Sequence, residues 1–271
     1  TLEDGVSGAC QAIGVGSPGA INWERDTVTK PPNFPGWMSV NVKAELQQRL
    51  GRPLPILVEN DANVAALGSA YFGAGIPYSH FIMVTLGTGV GGAIIADNKI
   101  FRGQSGAAGE IGHMTINYCG PLARSGVAGA VEAYLGQQFL THHARLRLVS
   151  RPKSILHERA GNDLEELTSK MLFDAAQDGD KDAVGIFRWA GHKLGCVLGS
   201  AINLLDIRTV IVGGGTSGAG DLILDSARET ILDFVTPALH DGIRIVREDR
   251  GNEVAMLGAA RLAQEALSMD A

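Results

Sequence analysis

Glycine sets the strongest limit on what this chain can fold into. The sequence has 36 glycines in 271 residues, about twice the usual ~7% share. Most lie in short clusters between apolar segments, at residues 14–19, 87–92, 103–112 and 213–220. Backbone without side chains is needed where φ is positive and where a phosphate comes close. The clusters therefore predict either the tight turns of a glycine-rich α/β protein or loops that bind phosphate.

Charge and cysteine content exclude several classes of protein. Lys plus Arg is 23 and Asp plus Glu is 29, for a net charge of −6, whereas sequence-independent nucleic-acid binding needs clustered basic charge. We see no apolar run of the ~18 residues that a membrane helix needs, and no signal peptide. The three cysteines, Cys10, Cys119 and Cys196, are far apart. We therefore expect a cytoplasmic protein with no nucleic-acid partner and no membrane contact.

Strand-like and helix-like apolar patterns alternate along the chain, which is typical of an α/β fold. The predicted strands are 12–15, 56–59, 81–86, 93–96 and 209–212. The predicted helices are 61–72, 180–205, 221–234 and 254–267. We interpret the charged segment 145–170 as solvated helix and loop, without a function.

The pattern G-x-G-x-x-G occurs three times, starting at Gly14, Gly87 and Gly213. A dinucleotide fingerprint requires a strand before the pattern and a helix that opens inside it. The first copy contains Pro18, and the second is followed by a predicted strand, so neither fits. Only the third copy, 213–218, lies between a strand and a helix. A dehydrogenase therefore stays open as an alternative.

The second copy lies in a turn between two apolar strands. Such a turn can direct several backbone N–H groups at one anion, and the hydroxyl of Thr88 adds a donor. This geometry favours phosphate binding, and a plain hairpin is the alternative.

Three ionisable residues are candidates for chemistry. Asp61 follows a predicted strand and opens a helix, whose positive end favours an ionised carboxylate, as a catalytic base requires. An N-cap is the simpler explanation of Asp61. Glu110 and His113 are three residues apart between glycines. That pair could bind a metal, grip a diol, or have only a structural role.

Six motifs then occur in an order that resembles the ROK family of bacterial sugar kinases and repressors. They are Pro-Pro-Asn-Phe-Pro-Gly-Trp at 31–37, Glu-Asn-Asp-Ala-Asn at 59–63, the glycine turn 86–92, Gly-Ala-Ala-Gly-Glu-Ile-Gly-His at 106–113, Glu-Ala-Tyr at 132–134 and Gly-Gly-Gly at 213–215. The resemblance covers nearly the whole chain. It implies an α/β, actin-like (ribonuclease H-like) two-lobed ATPase fold. Residues 1–80 would be the remnant of a small N-terminal lobe, with 254–271 packed back on it, and 81–253 a large lobe.

The resemblance also implies ATP-dependent phosphorylation of a hexose-type sugar, as in a glucokinase, with ATP and Mg²⁺ as cofactors. Asp61 would be the general base. The sugar would be bound by Asn33, Asn60, Glu110, His113 and Glu132, and ATP by Gly87, Thr88, Gly89, Gly214 and Gly215. A homodimer is expected only by analogy. The alternatives are a sugar-sensing regulator and a catalytically inactive sugar-binding protein.

Two departures from the family qualify these expectations. Many members hold a structural zinc with Cys-x-Cys-Gly-x-x-Gly-Cys-x-Glu and the His of Glu-x-Gly-His. Here residues 123–132 read Ala-Arg-Ser-Gly-Val-Ala-Gly-Ala-Val-Glu, so His113 alone remains of the four ligands such a site needs. We therefore expect no zinc. For the same reason we expect the loop before Glu132 to be held less firmly than in the family, which weakens the transfer of a sugar-binding role to Glu132.

The second departure concerns the Asp-x-Gly-Gly-Thr phosphate loop that opens the family's sequences. We find no such motif in residues 1–271. We expect the sequence to be a piece of a longer chain that contains it. If these residues were the whole molecule, we would expect ATP turnover to be weak or absent.

Overall fold

The computed structural model describes residues 10–269 except 32, 33, 35 and 216–219. The strands are β1 Ile13–Ser17, β2 Ala20–Ile21, β3 Thr27–Thr29, β4 Ser39–Asn41, β5 Ile56–Asn60, β6 Phe81–Leu86, β7 Val90–Ala96, β8 Lys99–Ile100, β9 Thr209–Gly213 and β10 Arg244–Arg247. The helices are α1 Val42–Leu50, α2 Asp61–Phe72, α3 Glu132–Leu135, α4 Gln137–Leu148, α5 Ile155–Arg159, α6 Ser169–Gln177, α7 Lys181–Leu205, α8 Gly220–Ile231 and α9 Glu253–Met269.

The chain forms two compact units. The first contains the described residues up to 83, residues 93–109 and those from 252 onward, and the second contains 84–92 and 110–251. The lobe boundaries expected from the sequence stay a prediction.

In the first unit, β1 and β5 pair in parallel, in a register that places Ile13 opposite Ile56. Strands β2, β3 and β4 form a separate antiparallel sheet. Helix α9 packs closely on α2. A Cβ on Gly258 would lie 1.9 Å from the carbonyl oxygen of Val64, so the two helices meet backbone to backbone.

The same helix explains the first glycine pattern. A Cβ on Gly14 would lie 2.0 Å from the carbonyl oxygen of Ala259 in α9. Only a residue without a side chain allows so close an approach. Gly14 therefore serves helix packing on β1, and nothing about it requires a phosphate.

In the second unit, β10, β9 and the end of β6 lie side by side, and β9 and β10 are parallel. Helix α7 buries an apolar stripe against α8 and neighbouring helices. The stripe recurs every three to four residues, as the sequence predicts, and includes Phe187, Ala190, Leu194, Val197 and Ala201.

Most predicted elements match the observed bounds within three residues, and helix 61–72 and strand 81–86 match fully. The interpretation of 145–170 as solvated segment was incomplete, because Leu148, Leu156 and Leu167 in it are buried. Across the described part of the chain, every helix is too short or too polar to cross a membrane.

Candidate active site

The corner between β5 and α2 is built around an asparagine cap. The side-chain oxygen of Asn60 accepts hydrogen bonds from the backbone N–H groups of Ala62 (2.9 Å) and Asn63 (3.4 Å). Its amide nitrogen donates to the carbonyl oxygen of Gly19 at 3.2 Å. Asn60 is thus the N-cap of α2, and Asp61 is the first helical residue. The explanation of Asp61 as an N-cap is therefore wrong.

The carboxylate of Asp61 is exposed, and its Oδ1 accepts from the N–H of Ala62 at 2.9 Å. Partial loss of hydration raises the pKa of Asp61 above its ordinary value, and the hydrogen bond from Ala62 opposes this rise. A raised proton affinity suits a group that must accept a proton.

Glu59 supports this corner from inside, and the sequence analysis missed it. Its side chain is fully buried. Oε1 accepts from the N–H of Asn60 (2.9 Å) and from the side-chain amide of Asn63 (3.0 Å). Oε2 lies 3.3 Å from Nε of both Arg25 and Arg102. The signal was an acidic residue at the end of an apolar strand, which is rare unless the charge is paired.

The glycine turn between β6 and β7 closes on itself and contacts Glu132. The N–H of Gly87 donates to the carbonyl oxygen of Gly89 at 3.0 Å. The N–H of Val90 donates to Oε2 of Glu132 at 3.2 Å. A Cβ on Gly89 would lie 2.4 Å from that same oxygen. This strand-turn-strand arrangement is the one predicted from the sequence.

A second glycine segment meets this turn at the ends of neighbouring strands. Gly214 follows β9, has a φ of 95°, and lies so close to β6 that a Cβ would be 2.3 Å from the carbonyl oxygen of Leu86. The carboxyl ends of adjacent strands in an α/β sheet are where ligands bind. A Cβ on Gly87 or Gly215 would meet no atom of the described residues within 4 Å. The space beside both glycines is thus open to a phosphate-bearing ligand.

A cavity of about 540 Å³ opens next to the glycine turn. The N–H of Gln137, at the start of α4, donates to the carbonyl oxygen of Gly87 at 3.0 Å and joins the cavity to the turn. The polar lining of the cavity comes from the turn, α4 and the start of α6, and includes Thr88, Gln137, Thr141, Arg145, Thr168 and Ser169. All but Thr88 were missed, because no motif links these separate segments.

Glu110 and His113 are brought together on a short 3₁₀ turn. Nε2 of His113 lies 3.6 Å from Oε2 of Glu110, and its Nδ1 lies 3.2 Å from the hydroxyl of Ser125. A Cβ on Gly112 would lie 1.9 Å from the carbonyl oxygen of Val90. The pair is therefore held against the strand that leaves the glycine turn.

The structure places the predicted site residues as follows. The first unit contains Asn60 and Asp61. The second unit contains Gly87, Thr88, Gly89, Glu110, His113, Glu132, Gly214 and Gly215. Asn33 lies outside the described residues.

The residues present do not fit a structural zinc. Ala123 and Ala130, at two of the family's cysteine positions, are buried apolar side chains. Ser125, at the remaining cysteine position, is hydrogen-bonded to His113. In the described ranges, no cluster of three or more His, Cys, Asp or Glu side chains could bind a metal ion. The expectation that the protein has no zinc stays a prediction.

The open space at Gly87 gives a direct test of nucleotide binding. Gly87→Ala is expected to leave the melting temperature unchanged, because the added methyl meets no atom in the part of the protein that the structure describes. If ATP phosphates bind at this turn, as the resemblance implies, the variant is expected to raise the KM for ATP about tenfold or more, because the methyl occupies the space beside the turn. Thermal unfolding and ATP-dependent kinetics would measure the two effects. Gly215→Ala, with the same open surroundings, is the matched variant in the second segment.

Two glycine segments at the carboxyl ends of adjacent strands, one in a strand-turn-strand hairpin, are features of the actin-like ATPase fold, and the chain has that fold. The chain belongs to the ROK family, which it matches over residues 2–266. The Gly213 pattern is accordingly part of this fold, and the dehydrogenase alternative loses its support.

Similar proteins include both enzymes and regulators. The glucokinase of Thermotoga maritima is 33% identical over 253 residues, which are 93% of this chain and 79% of that protein. The solved structure of a ROK family glucokinase from Streptomyces griseus, in complex with glucose and AMPPNP, has a TM-score of 0.86 and 34% identity, over 96% of this chain and 83% of that one. The xylose repressor of Caldicellulosiruptor bescii is 33% identical over 222 residues, 81% of this chain and 54% of that protein.

Proposed function

We propose that the protein is an ATP-dependent sugar kinase that phosphorylates a hydroxyl of a hexose-type sugar, with Asp61 as general base. One observation carries the proposal. Asn60 caps α2, which leaves the exposed Asp61 carboxylate available at the end of β5. This corner belongs to a chain that is 34% identical to a glucokinase solved with glucose and AMPPNP.

The role of Asp61 follows from the weakness of a hydroxyl as a nucleophile. Asp61 would accept the hydroxyl proton as the sugar oxygen bonds to phosphorus and the bond from phosphorus to the ADP oxygen breaks. The raised pKa of Asp61 favours that proton transfer.

Glu110, His113 and Glu132 would bind the sugar hydroxyls. Carboxylates suit this task because each can accept from two neighbouring hydroxyls. Glu132 already accepts from Val90 through Oε2, so Oε1 is its remaining oxygen for a ligand. The resemblance adds Asn33 to this set. Asn60 has one amide hydrogen beyond its bond to Gly19.

The glycine segments would bind the nucleotide, with Gly87, Thr88 and Gly89 at the phosphates and Gly214 and Gly215 at the adenosine. When bound, ATP with Mg²⁺ supplies the phosphoryl group and neutralises its charge. The polar cavity beside Thr88 and Gln137 is large enough to take part of a nucleoside.

A coupled ADP-release assay on the full-length protein tests this proposal. The panel is glucose, N-acetylmannosamine, N-acetylglucosamine and fructose, and glucose is expected to have the highest kcat/KM. Ribose is the matched control, because it offers a primary hydroxyl on a smaller ring. ADP release that no sugar stimulates, in a protein that binds sugar, would contradict the kinase.

A sugar-sensing regulator is the second candidate, because the chain is also 33% identical to a xylose repressor. The two candidates differ in what sugar binding produces. A regulator would bind DNA in a sugar-dependent way without releasing ADP. Fluorescence anisotropy with the DNA upstream of the protein's own gene, measured with and without sugar, would distinguish the kinase from the regulator.

A further inference from the structure

We infer that Ser125 is a positioning residue for His113, in a hairpin that is held without metal. The inference rests on the proposed function, because it treats His113 as a sugar-binding group. Its evidence is the 3.2 Å contact between the Ser125 hydroxyl and Nδ1 of His113.

The segment 115–131, which we call the Ser125 hairpin, is fastened by backbone hydrogen bonds. The N–H of Ile116 donates to the carbonyl oxygen of Gly129 at 2.9 Å. The N–H of Val131 donates to the carbonyl oxygen of Met114 at 3.0 Å, directly beside His113. The hairpin therefore has its own connection to the turn that carries the histidine.

Side chains complete this connection. The hydroxyl of Thr115 donates to the carbonyl oxygen of Ala128 at 2.9 Å. Ala130 is fully buried, and Ala123 is 5% exposed. Gly129 has a φ of 62° and approaches Asn117 too closely for any Cβ. Apolar packing and hydrogen bonds thus fix the hairpin and leave Ser125 as the group that reaches the histidine.

The groups on the two sides of the ring favour one tautomer of His113. Glu110 presents a carboxylate oxygen 3.6 Å from Nε2. A carboxylate oxygen only accepts hydrogen bonds, so its place on the Nε2 side favours the tautomer with the hydrogen on Nε2, and we infer this tautomer. Nδ1 is then the acceptor, and the Ser125 hydroxyl donates to it. In this arrangement the Nε2 hydrogen of His113 faces Glu110, where a sugar hydroxyl would be bound.

Without the hydroxyl, the ring of His113 loses its partner at Nδ1. The other tautomer and other ring rotations then become populated, which weakens ground-state sugar binding but leaves the phosphoryl transfer step alone. Ser125→Ala is accordingly expected to raise the KM for the sugar about 2- to 12-fold, the effect of one hydrogen bond. The value of kcat is expected to stay within about twofold. Ser125→Thr keeps the hydroxyl and is expected to restore the KM.

Long-range ¹H–¹⁵N NMR of the imidazole gives a readout that needs no sugar. The native protein is expected to show His113 with its hydrogen on Nε2, and Ser125→Ala a mixture of tautomers. If the protein phosphorylates no sugar, the proposed function fails, and the NMR result still decides whether Ser125 positions His113.

Thr115→Val is the matched control, because it loosens the hairpin without touching His113. It is expected to leave the sugar KM unchanged. The inference is overturned if Thr115→Val reproduces the KM rise, or if Ser125→Ala changes neither KM nor tautomer. It is also overturned if the purified protein contains one zinc per chain, because a metal would then hold the hairpin and the histidine.

Discussion

Asp61→Asn is expected to lower the rate of sugar phosphorylation by about 10²- to 10⁴-fold, the usual contribution of general base catalysis. Asparagine has nearly the same shape and keeps an oxygen that can accept from Ala62, but it cannot take up a proton at neutral pH. The α2 cap is untouched, because Asn60 provides it. The variant should therefore bind sugar with an affinity within a few-fold of the native protein.

Single-turnover phosphorylation and calorimetric sugar titration measure these two quantities. Asp182→Asn is the matched control: it removes the same charge from the first turn of another helix, α7. That variant is expected to keep full activity. Undiminished phosphorylation by Asp61→Asn would refute the role of Asp61 as the base.

Stability should change in the opposite direction to activity. Because the pKa of Asp61 is raised on folding, the native state holds its proton more tightly than the unfolded chain does. Between the unfolded-state pKa of about 3.9 and the higher native pKa, this group's contribution to stability falls as pH rises. At neutral pH the charged form is slightly unfavourable. Asp61→Asn is thus expected to keep or slightly raise the melting temperature, by a small amount because the side chain is exposed.

The sequence predicted those parts of the fold in which an apolar pattern runs for several turns or strand residues. Helices α2 and α7 and strands β5, β6 and β9 are of this kind. It did not predict β2, β3 and β4, because each strand is only two or three residues long and is too short to show an alternating apolar pattern. Their pairing depends on tertiary contacts such as Ile21 and Val28 against Val58, which no local pattern contains.

The candidate site was predicted through motifs, and motifs identify residues without their contacts. Asn60, Glu110, His113 and Glu132 were expected to bind sugar, and that stays a prediction. Their contacts within the protein could not be read from the sequence, because the partners are distant in the chain. Glu132 accepts from Val90, 42 residues away, and Asn60 donates to Gly19, 41 residues away.

Glu59→Ala is expected to reduce the free energy of unfolding by about 3–5 kcal/mol, the usual cost of removing one partner of a buried ion pair. The change would leave the guanidinium groups of Arg25 and Arg102 together without their shared carboxylate. Burial lowers the pKa of Arg102, and the nearby charge of Glu59 opposes this shift. A cavity of about 310 Å³ borders both arginines. Entering water can rehydrate them in part, so we expect the lower end of the range.

Urea unfolding with a constant m-value would measure the loss. Glu265→Ala is the matched control. Glu265 also pairs with Arg25 at 3.3 Å, but its side chain is 27% exposed. Its removal is expected to cost no more than about 1 kcal/mol, as for a partly solvated pair. Equal losses from the two variants would show that Glu59 has no special role in the corner.

Glu59→Gln tests more sharply why Glu59 stabilises the corner between β5 and α2. Glutamine matches glutamate in shape and removes only its charge and part of its acceptor capacity. Oε1 of the carboxylate accepts from the N–H of Asn60 and the amide of Asn63, and Oε2 forms ion pairs with Nε of the two arginines. A glutamine amide offers one oxygen, so in either orientation its NH₂ group faces donors. Glu59→Gln is therefore expected to destabilise the protein nearly as much as Glu59→Ala does. It should also lower kcat, because the Asn60 cap that presents Asp61 is bonded to this carboxylate. If glutamine were tolerated with less than about 1 kcal/mol of loss, the corner would depend on shape, and the account of Glu59 as a shared acceptor would be wrong.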